Sequence, residues 1–175
     1  MKHKILIAAM AIAALLLPME INAKGKPASV TLLKDANGVT IGRVIGMKHV
    51  SKPYVLTDQG YRTMIPIPVG RVVEQTAVYY GSEDCSDPAF IGHTRHVGTV
   101  FIPTSNSELA YASGAILYSP GDAQLVTIDI NRTLDENLEC VPFLFPNAEV
   151  YPAYENDPAV TGIENTVYPT RMIIE

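Results

Sequence analysis

Two apolar patterns divide the chain. Ile5 to Leu17 is an uninterrupted apolar run, closed by Pro18. From Val30 onward the apolar residues come in short stretches separated by Gly, Asn, Asp and Pro. The second pattern is plainest where Val126, Ile128 and Ile130 alternate with Thr127, Asp129 and Asn131. A period of two belongs to a strand with one buried face. Stretches of this kind predict strands over 30–34, 39–47, 54–57, 61–69, 71–80, 97–102, 115–118, 125–131, 140–145 and 171–174. Asn37-Gly38 between the first two predicts a tight hairpin, and Asp58-Gln59-Gly60 a second turn. Gly81 to Pro88 reads as a polar loop. Pro66 and Pro68 cannot donate to a ladder, so 61–69 is expected at a sheet edge.

Prolines recur from Pro27 to Pro169 and leave little room for helices of ordinary length. Two short helical signals remain. One is Ser105-x-x-Glu108, a capping-box spacing before Leu109, Ala110 and Tyr111, with Gly114 as a stop; the other is Asp157-Pro158. No internal repeat is present. The expected fold is all-β, a mostly antiparallel sandwich or small barrel of about nine or ten short strands.

The first apolar run has a different meaning. Lys2, His3 and Lys4 precede it, and a polar-leaning stretch ends at the small residue Ala23. As a helix the run spans roughly 20 Å, short of the roughly 30 Å hydrocarbon core. Residues 1–23 therefore read as a signal peptide cut after Ala23, with 24–175 as a single β-rich domain. No other run is long enough to span a membrane, so no membrane span is expected after cleavage. The expected location is the periplasm or the extracellular space.

That location gives the two cysteines a role. Cys85 and Cys140 are the only ones, and in an oxidising compartment such a pair becomes a disulfide. A redox thiol is the alternative. Neither cysteine lies in a C-x-x-C, and Asp84, Asp87 and Glu139 would raise rather than lower a thiol pKa.

Several further motifs carry a resemblance. Asp35-x-Asn37-Gly38, Ile41-Gly42 and Tyr79-Tyr80-x-Ser82-x-Asp84-Cys85-Ser86 resemble an uncharacterised family of bacterial secreted β-rich modules. Those modules share a D-x-N-G hairpin, a Y-Y-x-S-x-D-C-S segment and a downstream cysteine, here Cys140. Tyr168-Pro169-x-Arg171 is similar to the family's closing strand. The resemblance implies export and a β-rich fold, and brings no activity.

Charge and candidate chemistry narrow the function by exclusion. Thirteen basic and eighteen acidic residues give a net charge of −5, and no basic cluster exists for a phosphate backbone, so nucleic acid is not the expected partner. Neither phosphate-cradling glycine motif occurs, and no cofactor is implied. His93 and His96 with Asp84 and Asp87 upstream have metal-ligating side chains. An i, i+3 pair on a strand points to opposite faces, however, and exposed loop residues are the simpler reading. Glu83, Asp84 and Asp87 match no EF-hand spacing. A Ser-His-acid hydrolase lacks a G-x-S-x-G, and Glu74, Glu83, Asp84 and Asp87 show no paired-carboxylate arrangement.

The aromatic supply is nine Tyr and four Phe, with no Trp. Tyr79 and Tyr80 fall on opposite faces of a strand, so one is expected in the core. With Tyr151 and Tyr154 they are the candidate binding residues, since tyrosine stacks on sugars or peptides at small entropic cost. The expectation is an exported non-catalytic binding or structural module facing a protein or glycan surface. A small secreted hydrolase and a metal-binding exported protein are the alternatives.

Overall fold

A computed structural model describes residues 29–67, 70–86, 88–95, 97–105, 110, 113, 115–164 and 170–175. The chain is all-β. In order the strands are β1 (Thr31–Asp35), β2 (Thr40–His49), β3 (Lys52–Leu56), β4 (Arg62–Met64), β5 (Gln75–Thr76) and β6 (Tyr79–Tyr80). They continue as β7 (Ala89–Gly92), β8 (Thr99–Pro103), β9 (Leu117–Ser119), β10 (Val126–Leu134), β11 (Cys140–Glu155) and β12 (Thr170–Ile174). A short helix, α1 (Pro158–Thr161), lies before β12.

The opening half is a meander. β1 to β4 pair antiparallel in sequence order, and β12 returns to flank β1. At the first hairpin Asp35 accepts the Val39 N–H at 2.7 Å, and Gly38 takes the left-handed conformation at φ 86°. Gly42 permits a close approach, because a Cβ there would lie 2.5 Å from the Leu56 carbonyl oxygen.

β8 links the halves. It runs parallel to β4 and β5 and antiparallel to β9, and all five of its residues are buried. Its alternation feeds two cores. Val100 and Ile102 pack with Leu33, Val55, Ile65 and Ile163, whereas Phe101 packs with Val78, Tyr80, Ile91 and Ala153. β9 then pairs with β11, whose remaining partners close a circuit: β11 with β7, β7 with β6, β6 with β10 and β10 with β11. A third, small cluster of Ile130, Ala148 and Val150 sits within this circuit.

Several sequence expectations need correction. Among the described residues of 61–69 only Arg62–Met64 is strand, and it lies between β3 and β8 rather than at an edge. Ile65 and Ile67 donate their N–H groups to Pro53 and Ser51, so Pro66 falls where no donor toward β3 is needed. Pro68 and Val69 lie outside the described residues. The stretch 71–80 is not one strand but β5 and β6, two short pairs with different partners. β7 has no counterpart among the expected strands, and β11 runs ten residues past Phe145. Asp157 does cap α1, accepting the Ala159 N–H at 2.9 Å, and Gly162 ends it at φ 71°. Most of the Ser105–Glu108 box lies outside the described residues.

Candidate binding cleft

The sequence Pro142-Phe143-Leu144-Phe145-Pro146 sets up the site. It lies on β11 opposite β10, and the two strands do not stay in step. Ile128 pairs with Ala148, Ile130 with Phe145 and Arg132 with Pro142, so β11 carries an extra residue on each side of Phe145. Such bulges bend a strand and re-aim its side chains. Asn147 takes φ 51° and sends its N–H to the Asp129 carboxylate at 2.9 Å, which replaces a ladder bond. Phe143 and Phe145 both line one cleft, 42% and 55% exposed, while Leu144 turns to solvent beside it.

The cleft is an open trough of ≈ 600 Å³. Tyr79 on β6 joins the lining and packs beside Phe143, with ring centroids 5.5 Å apart at a 32° tilt. Ile130, Ala148 and Val150 of the small core form its floor. His93, Thr94, Thr127, Asn147 and Glu149 supply polar atoms around it. The His93 N–H donates to the Glu149 carbonyl at 3.3 Å, holding the β7 end against β11. The lining contains no Lys or Arg.

Two bonds anchor the walls. Cys85 and Cys140 form a disulfide, with Cα atoms 6.1 Å apart, tying the loop after β6 to the first residue of β11. Both cysteines are so used. Arg132 on β10 donates to the Glu83 carbonyl at 2.8 Å and pairs with the Glu83 carboxylate. Within the loop the Ser86 N–H donates to Ser82 Oγ and to Asp84 Oδ1, and the Ser86 hydroxyl donates to Asp84 Oδ1 at 2.5 Å. The Ser86 hydroxyl first, then its N–H, hold the Asp84 carboxyl below the usual carboxylate range. The S-x-D-C-S spacing is thus the wiring of a turn, which Cys85 crosses at φ 57°.

The candidate residues separate accordingly. Tyr79 enters the cleft. Tyr80 faces the other way into the Phe101 core, where burial pushes its phenol pKa up. Tyr151 is half-buried against that same core. Tyr154 is exposed, its ring 5.9 Å from Tyr118, in a second aromatic row that continues to Tyr61 at 5.6 Å. Asp84 is committed to the turn, His93 is exposed at the cleft, and Asp87 and His96 lie outside the described residues. Among the described residues no three His, Cys, Asp or Glu side chains gather as a metal site, and no helix is long and apolar enough to cross a membrane. Sequence reasoning missed Phe143, Phe145, Thr127, Asn147 and Glu149. The available signal was three large apolar residues in a row on a hairpin strand, which cannot all face one core.

The residues thus define an all-β protein with a disulfide-anchored hairpin and an aromatic trough on it. Comparison with family models, curated proteins and solved structures finds no match to this chain.

Proposed function

We propose that the protein is an exported, non-catalytic binding module whose trough takes a neutral glycan chain. The observation that carries this reading is the exposure of Phe143 and Phe145 beside Tyr79, above a polar rim free of Lys and Arg. Large rings left open to water mark a binding surface more often than a defect of packing. The flat apolar faces of a β-linked pyranose stack on such rings, and its hydroxyls match donors and acceptors like those of Thr127, Asn147 and Glu149. A polyanion would find no basic partner in the lining. The disulfide and the signal-like N-terminus support export, and the short motifs around Asn37-Gly38 and Cys85 support kinship with bacterial secreted modules.

The test is calorimetric titration with a β-1,4-linked N-acetylglucosamine oligosaccharide. Saturable binding is expected, and Phe143→Ala weakens it by about fivefold to tenfold, the worth of one aromatic contact. Absence of binding, or equal affinity in Phe143→Ala, rejects the glycan reading.

A further inference from the structure

The path of strands ends at β12, and among the described residues its outer edge pairs with nothing. Its inner edge is well defined. Val30 and Glu175 exchange N–H···O=C bonds at 3.1 and 3.0 Å, and β1 and β12 run in register from there. Backbone groups on a strand point alternately to its two sides. Arg171, Ile173 and Glu175 therefore turn their N–H and C=O groups toward β1, and Thr170, Met172 and Ile174 turn theirs outward. A free edge of this kind is a template for another strand.

The side chains select which strand. Arg171 and Glu175 stand symmetrically about Ile173. Arg171 lies directly across from Lys34, a like charge, and has no acidic partner among the described residues. Glu175 is held by Lys34 at 2.6 Å. On the other face Met172 and Ile174, 40% and 73% exposed, wall an apolar groove of ≈ 740 Å³ with Val44, Met47 and Val50. This groove extends the core face, since Met172 pairs across the ladder with the fully buried Leu33.

We propose that β12 is the seam of a homodimer, paired antiparallel with β12 of a second copy about a two-fold axis at Ile173. In that register Met172 faces the partner subunit's Ile174, and the two exchange backbone hydrogen bonds; the two-fold repeats the exchange. Arg171 meets the partner subunit's Glu175 on each side. An axis at Arg171 would set the two arginines against each other. An axis at Met172 would place Arg171 opposite an isoleucine. Opposite charges across a ladder stabilise it and like charges oppose it, so the Ile173 axis is favoured. The seam also joins the two apolar grooves edge to edge, in an isologous contact that closes on itself. This inference stands apart from the glycan reading, as β12 contributes nothing to the trough.

Sedimentation velocity of the purified protein up to about 1 mM tests it. The mass is expected to double with rising concentration. Met172→Pro removes an outward N–H on the free edge, so it should give a monomer that keeps the parental far-UV circular dichroism spectrum. Arg171→Glu should also dissociate the dimer. The double variant R171E/E175R restores the opposite charges and should restore the doubled mass. A monomer at every concentration overturns the proposal. So does a dimer that survives both Met172→Pro and Arg171→Glu, which would point to the grooves or another face, and so does failure of the double variant to recover.

Discussion

At the scale of single residues, Asp84 shows how chemistry-bearing side chains are spent on structure. Its carboxylate accepts from the Ser86 hydroxyl and N–H within a loop that also positions Cys85. Sequence alone offers the same residue as a metal ligand or a catalytic acid, because residue type does not reveal which lone pairs are occupied. The folded carboxyl has a depressed pKa, so its hydrogen bonds stabilise the fold above the unfolded pKa. That contribution is lost as pH falls through the folded value. Ser86→Ala should raise the Asp84 pKa in a carboxyl-detected NMR titration. The stability gap between the two proteins should narrow on acidification below about pH 4. An unchanged Asp84 pKa would contradict the assignment.

At the scale of elements, the β10–β11 hairpin holds most of what the site needs. Its turn is tied by Asp135, whose carboxylate accepts from the Asn137 and Glu139 N–H groups at 2.8 and 2.9 Å. The disulfide closes a 55-residue separation and fixes the base of β11 to the β6 loop. On the chain-entropy account such a closure contributes about 4 kcal/mol. The Cys85→Ser/Cys140→Ser protein should melt about 10 °C lower by differential scanning calorimetry. A change within one or two degrees would show that Arg132 and the ladder hold the loop without the bond.

The hairpin also marks how far sequence reading reaches. The strand at Val126–Leu134 and the pairing of the two cysteines were legible, the first from a period of two and the second because Cys85 and Cys140 are the only cysteines in the chain. The trough was not. It depends on two bulges that shift β11 against β10, and nothing local to Phe143 or Phe145 announces a bulge. The same limit accounts for β5 and β6. Residues 71–80 look like one strand, yet Gln75–Thr76 follows β8 while Tyr79–Tyr80 follows β10, a division made by distant partners.

At the scale of the whole molecule, the two ends of the strand path have different characters. One end closes on itself through β6, β7, β10 and β11 and carries the aromatic trough. The other ends in the open edge of β12. β8, buried on both faces, joins them and separates their cores. The proposed ligand binding at the first end and the proposed self-association at the second should thus be lost separately, by Phe143→Ala and by Met172→Pro. The central claim concerns the first. Amide chemical-shift mapping during titration with the N-acetylglucosamine oligosaccharide tests it most directly. The account predicts perturbations concentrated at Tyr79, His93, Thr127, Phe143, Phe145 and Glu149, with β12 unmoved. Perturbations absent from these residues, or centred on another face, would contradict it.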